Sequence, residues 1–216
     1  MNIIFLGSPG IGKGTHAEIV AKKFGIPRIS TGEIMRDDVR NGTDLGNEVR
    51  NYMDSGELVP DEIVIDILKK RISQGDCKKG FVLDGFPRTV NQAEELERIT
   101  HIDFVLNLVA SHKVITERIT GRLTCRKCGA IYHMKNIPPK KEGACDKCGG
   151  KLYHREDQTR EAVEKRLELY EKRTKQLIEY YKKKGILIDV NVEGGKNEVA
   201  KRVDNAIKDF RKERSV

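Results

Sequence analysis

The chain has 216 residues, 34% of them charged and 38% hydrophobic, with a net charge of +8 and no tryptophan. That length can bury a core without staples, and the charge suits an anionic partner: nucleotide phosphates, nucleic acid or a membrane surface. No run approaches the ~18 apolar residues of a membrane span, and the apolar start is too short for a secretion signal, so a cytoplasmic protein is expected.

The first predicted element is a strand over Asn2–Leu6, which runs into GSPGIGKGT, Gly7 to Thr15. A phosphate loop reads G-x-x-x-x-G-K-[ST], with the last hydroxyl on magnesium. Gly7, Gly12 and Lys13 fit, but position 14 is Gly14, and a hydroxyl comes one place late at Thr15. Strand before and helix after are the context a phosphate site requires: glycines let backbone N–H groups turn towards an anion, and the helix N-terminus adds positive potential. A glycine-rich turn without a phosphate is the competing reading, and Lys13 in register speaks against it.

A helix follows over Lys13–Phe24, with Ala17, Val20, Ala21 and Phe24 on one face, then a strand over 27–30. Residues 31–59 are helical in pattern, carry no strand and read as an insertion. Thr31 is a candidate N-cap there, since Glu33 follows. The spacing of Val64, Ile65, Leu68 and Ile72 predicts a helix over Asp61–Ile72, with Asp61 as its N-cap. Strands follow over Phe81–Asp84 and Phe104–Val109, and a fifth over 186–190. All five are nearly continuous in apolar residues, as strands buried on both faces of a parallel sheet are. A doubly wound α/β sheet follows.

Asp84 ends its strand inside GFVLDGFPR, where a carboxylate can hold magnesium-bound water or cap the next turn. Arg118 and Arg122, four apart, fall on one face of a predicted helix. Residues 122–158 form a second insertion, 160–184 read as one long helix, and 197–211 as a last amphipathic one. Cys125, Cys128, Cys145 and Cys148 have the spacing C-x2-C-x16-C-x2-C, each pair followed by glycine. Four thiolates with no open position imply structural zinc; iron and a pair of redox CxxC motifs are the alternatives. His133 and His154 flank the cluster and could stand in for a ligand. Cys77 is an isolated thiol.

Five motifs together make the chain resemble the adenylate kinases of the long type with a metal-binding lid: GSPGIGKGT, ISTGEIMR (29–36), GFVLDGFPRTVNQA (80–93), ERITGR (117–122) and REDQTREAVEKRL (155–167). That family has Gly14 in its own loop. The resemblance implies a phosphate-loop nucleoside monophosphate kinase fold: a five-stranded parallel sheet flanked by helices, with a core of 1–30, 60–121 and 159–216, an AMP-binding insertion over 31–59, and a zinc-stapled lid over 122–158.

It implies the reaction MgATP + AMP ⇌ MgADP + ADP, with Mg2+ and a structural Zn2+ as cofactors. Lys13, Asp84, Arg88, Arg122, Arg155 and Arg166 would be catalytic. Gly10, Ile11, Gly12, Lys13, Gly14, Thr15, Arg118, Arg122, Ile131, Tyr132 and Lys196 would bind ATP. Thr31, Arg36, Glu57, Leu58, Val59, Gly85, Arg88, Gln92, Arg155 and Arg166 would bind AMP, with Asp157 a lid contact and the four cysteines the metal ligands. Threonine at 31 leans towards AMP, and the Gln92 amide could pair with an adenine edge.

Closure of the lid, on hinges near Gly121 and Gln158, would exclude water. The expected state is a monomer with ATP, AMP and ADP as its small-molecule partners and no nucleic acid or membrane. Two alternatives stand beside it. A UMP/CMP kinase would keep the same clamps and differ around Thr31, Val59 and Gln92. A zinc-ribbon nucleic-acid-binding protein would use the charge and the cysteines, but no aromatic stacking platform is apparent.

Overall fold

The computed structural model describes residues 1–154, 164, 167–168 and 170–213. Strands β1 (Asn2–Leu6), β2 (Arg28–Ile29), β3 (Phe81–Asp84) and β4 (Phe104–Val109) join a late strand, Leu187–Asn191, in one five-stranded sheet. Every pairing in it is parallel, and β1 lies in the middle, with Phe5 opposite both Asp84 and Leu106.

The alternation of side chains along a strand explains the continuous apolar runs. Ile3 and Phe5 face helices α1 (Lys13–Phe24) and the C-terminal helix Lys196–Glu213; Ile4 and Leu6 face the opposite layer, with Leu68, Leu96, Leu177 and Tyr181. These eight side chains are all at most 2% exposed. At about 1.5–3 kcal/mol for each large side chain removed from water, these two layers dominate the stability.

The expected ends shift slightly. The second strand is shorter than 27–30, because Ser30 already caps α2 (Thr31–Asn41); Thr31 is therefore the first helical residue and buried, not the cap. The insertion is a pair of helices, α2 and α3 (Asp44–Asp54), crossing where Gly46 meets the Asp38 carbonyl. Helix α4 (Asp61–Ile72) starts after Pro60, so Asp61 is its first residue and not its N-cap. Its carboxylate turns to α5 (Val90–Ile99) instead.

Helix α6 (His112–Thr120) stops before Arg122, which opens β5 (Arg122–Cys125). Arg118 and Arg122 thus sit on two elements, not on one helix face. Strand β5 lies between β6 (Ile131–His133) and β7 (Leu152–Tyr153) in a small antiparallel sheet. That sheet was not legible as strands, because its strands are two to four residues long. The expected helix over 160–184 has, within the described residues, a π-helical turn at Tyr170–Thr174 before α7 (Lys175–Lys183). The strand Leu187–Asn191 is β8, and Lys196–Glu213 is α8, one residue earlier at its start than expected. Among the described residues no helix is long and apolar enough to cross a membrane.

Candidate active site

The carboxyl ends of parallel strands are where open α/β sheets bind ligands, and a cavity lies there. The loop after β1 forms its floor: Gly10, Gly12, Lys13, Gly14 and Thr15 line it, while Ile11 turns inward and is buried. Lys13 Nζ donates to the carbonyls of Gly7 (2.7 Å) and Ser8 (2.9 Å), which folds the ammonium over the loop. Arg36, Arg88, Arg118, Arg122 and Lys196 border the same space, with Ile131 and Tyr132 from β6. Six cations around one cavity form a field suited to polyphosphate.

Gly14 answers the gap in the loop pattern. A Cβ there would stand 3.0 Å from Asp84 Oδ2 and 3.5 Å from Arg28 Nη1. Glycine lets the loop lie directly against a buried carboxylate. Arg28 Nη1 donates to that Asp84 oxygen at 2.8 Å, and the same guanidinium pairs with Glu33 and, at 3.4 Å, with Glu18. Arg28 is a site residue that sequence reasoning missed; an arginine opening a two-residue strand carries no pattern.

His16 was missed too. It lines the cavity beside the loop while being 5% exposed, and its Nδ1 is buried without a partner among the described residues. Burial first, then the charges of Arg118 and Lys196, push its pKa down to about 4, so the ring is neutral. Arg118 is anchored by donating to the carbonyls of Ile11 (2.8 Å) and Val192 (2.6 Å), which ties α6 to the loop and to the end of β8.

A second cavity opens beside the first. Thr31, Glu57, Leu58, Val59 and Gln92 line it, and Arg36, Gly85 and Arg88 border both. Arg88 Nε donates to the Gly85 carbonyl at 2.9 Å. Gln92 is 2% exposed, and its amide is held at both ends: Oε1 accepts from the Arg88 N–H at 2.7 Å, and Nε2 donates to Asp61 Oδ1 at 2.6 Å. Arg155, Asp157 and Arg166 lie outside the described residues.

The four cysteines converge, with all sulfurs within 4.8 Å of one another. Cys125 and Cys148 sulfurs are 3.5 Å apart, Cys128 and Cys145 3.6 Å. A tetrahedral ion with metal–sulfur bonds of about 2.3 Å requires sulfur–sulfur edges of about 3.8 Å, so the quartet fits such an ion. The two knuckles repeat one geometry: the N–H groups of Gly129 and Gly149 donate to the carbonyls of Cys125 and Cys145. Tyr132 spans from cavity to cluster. Its hydroxyl accepts from the Asp146 N–H at 2.8 Å, leaving its proton for Cys145 Sγ at 3.4 Å.

His133 is no ligand. Its Nδ1 accepts from the N–H groups of Lys135 and Asn136, and Nε2 reaches the Glu117 carbonyl at 3.1 Å, which pins the small sheet to α6. His154 is exposed and stands outside the quartet. Cys77 is packed, with Arg71 Nη1 on its sulfur at 3.1 Å.

A glycine-rich loop between the central parallel strand and its helix, beneath a ring of cations, defines a phosphate-loop nucleotide-binding protein. The chain belongs to the adenylate kinase family, whose family model, described as "Adenylate kinase", matches residues 5–186. Among its relatives, the adenylate kinase of Archaeoglobus fulgidus is 54% identical over 196 residues, 88% of this chain and 90% of that protein. The adenylate kinase of Caldicellulosiruptor saccharolyticus is 53% identical over 213 residues, 96% and 98% of the two chains. That of Clostridium tetani is 51% identical over 212 residues, 96% and 98%. The protein is a phosphotransferase of that family.

Proposed function

We propose that the chain transfers a phosphoryl group reversibly between MgATP and AMP, giving two ADP, and thereby balances the adenine nucleotides of the cytoplasm. The observation that carries this reading is the shared wall: Arg36, Gly85 and Arg88 border both cavities. Two nucleotides bound there would meet phosphate to phosphate across that wall, which is what in-line transfer needs.

In this reading the donor lies over Gly10–Thr15, with the Ile11 carbonyl organising Arg118, and against Arg118, Arg122, Ile131, Tyr132 and Lys196. The acceptor lies among Thr31, Arg36, Glu57, Leu58, Val59, Gly85, Arg88 and Gln92. Lys13, Arg88 and Arg122 would stabilise charge on the transferring group, joined by Arg155 and Arg166 on the strength of the resemblance, with Asp157 as a lid contact. Asp84 Oδ1 has no hydrogen-bond partner among the described residues, while Oδ2 is held by Arg28. That free oxygen suits Asp84 to hold water on Mg2+, whose role is to neutralise phosphate charge when bound. Cys125, Cys128, Cys145 and Cys148 would hold Zn2+.

The division that goes with this function is a core of 1–30, 60–121 and 159–216, an AMP-binding insertion over 31–59 and a lid over 122–158. The working state is a monomer without nucleic-acid or membrane partners. Turnover with AMP, UMP, CMP and GMP as acceptors tests the reading, together with a metal assay on the same sample. AMP should be the best acceptor, with one zinc per chain; faster turnover of UMP or CMP would overturn it.

A further inference from the structure

We propose that Asp61 is a specificity-determining positioning residue: by fixing which way the Gln92 amide points, it sets the hydrogen-bonding polarity that the acceptor base must match. The inference rests on the acceptor site assigned above and adds to it a residue that lines neither cavity.

A glutamine amide can serve two opposite patterns, because turning it over exchanges its oxygen and its NH2. Here both ends have partners that permit only one orientation. A backbone N–H, that of Arg88, faces one end at 2.7 Å and accepts nothing, so the oxygen must lie there. A carboxylate faces the other end at 2.6 Å and donates nothing, so the NH2 must lie there. The assignment that is ordinarily ambiguous for an amide is settled by its neighbours.

Asp61 is itself fixed. Its other oxygen, Oδ2, accepts from Thr89 Oγ1 at 2.8 Å and Asn91 Nδ2 at 3.0 Å. Thr89 caps the helix that carries Gln92, accepting from the Gln92 N–H at 3.1 Å. The clamp therefore closes on itself: the start of α4 holds the start of α5, and the buried amide lies between them. Thr89, Asn91 and Gln92 all donate to this one carboxylate, so its oxygens are committed as acceptors and do not support the reversed amide.

With one partner at each end, the amide keeps one lone pair and one N–H for a ligand. Adenine presents an amino donor beside a ring-nitrogen acceptor, which this orientation matches. Cytosine presents the same order at its amino group. Guanine and uracil present a carbonyl acceptor beside an N–H donor, the reverse. A base tethered through its ribose 5′-phosphate to the cations of the shared wall cannot turn over to compensate. Mismatched polar groups in a buried site are what give large discrimination. The clamp thus separates amino bases from oxo bases, and cavity size separates adenine from cytosine.

The test uses the intact enzyme with ATP as donor and AMP, GMP, CMP and UMP as acceptors. Asp61→Asn keeps the shape and removes one of the two locks: its amide can present an NH2 to a reversed Gln92, and only the Arg88 N–H then still favours the parent orientation. The AMP-to-GMP ratio of kcat/KM should fall about tenfold, with KM for ATP unchanged as the internal sign of an intact fold. The side-chain NH2 resonances of Gln92, slowly exchanging in the parent, should exchange faster in the variant. Asn91→Ala, on the exposed side of the clamp, should move the ratio the same way by less.

An unchanged ratio in both variants would overturn the proposal, even if AMP turnover fell, because a merely structural Asp61 would weaken all acceptors alike. Failure of the underlying assignment looks different: the unsubstituted enzyme would then show no preference for AMP at all.

Discussion

At the residue scale, the loop is a backbone cradle with one essential side chain. Lys13 folds over the loop carbonyls and lines the cavity, whereas Thr15 offers one neutral hydroxyl. Lys13→Met should lower kcat by at least ~10²–10³-fold, the range for losing a charge-stabilising donor. Thr15→Val should cost no more than about tenfold, the value of one ordinary hydrogen bond. Steady-state kinetics at saturating nucleotide would check both, and equal losses would mean the hydroxyl had only moved along the chain. His16 gives a pH signature. Its pKa of about 4 in the fold lies below the ordinary 6.5. From pH 6.5 downward the unfolded chain takes up a proton that the folded one refuses, so stability present above pH 6.5 is lost as pH falls towards 4. The loss should reach about 3 kcal/mol. Urea unfolding at pH 7 and pH 4.5 should show a smaller acid penalty for His16→Gln than for the parent.

At the element scale, the helical insertion over 31–59 depends on the crossing of α2 and α3. Thr43 caps α3 by accepting from the Gly46 N–H at 3.0 Å. A Cβ on Gly46 would stand 2.3 Å from the Asp38 carbonyl oxygen, a backbone atom that cannot swing aside. Gly46→Ala should therefore part the helices and cost about 1–3 kcal/mol by overpacking, despite alanine's better helix propensity. KM for AMP should rise severalfold while KM for ATP holds; thermal melting and initial rates would measure it. The parallel strands and long helices were legible because burial on both faces, or on one stripe, writes a period into the chain. The three-stranded sheet around Cys125 was not, since three short strands leave no period to read. The convergence of the four cysteines was legible by spacing alone. Arg28, His16 and Asp61 act through contacts between residues far apart in sequence, as in the 56-residue separation of Arg28 and Asp84, which no local pattern records.

At the scale of the whole molecule, two kinds of cohesion meet. The large sheet is held by two apolar layers, whereas the apolar cluster of the small sheet has four buried members among the described residues, Cys125, Tyr132, Cys145 and Leu152. Two of those four are candidate metal ligands. With the free energy of a structural zinc site at about 10–16 kcal/mol, the ion and not the core should hold this unit together. A strong chelator should speed amide exchange across 122–153 while Ile3, Phe5 and Leu83 stay protected, and KM for ATP should rise more than KM for AMP. Mass spectrometry of deuterium uptake would separate the two units. Tyr132 makes the cluster more than a staple, because it lines the cavity and its hydroxyl rests on the sulfur of Cys145, a candidate metal ligand. Anyone redesigning the lid to work without metal inherits that constraint. A metal-free quartet must still place an acceptor at position 145, aspartate rather than alanine, or the tyrosine will be left with a buried proton and nowhere to put it.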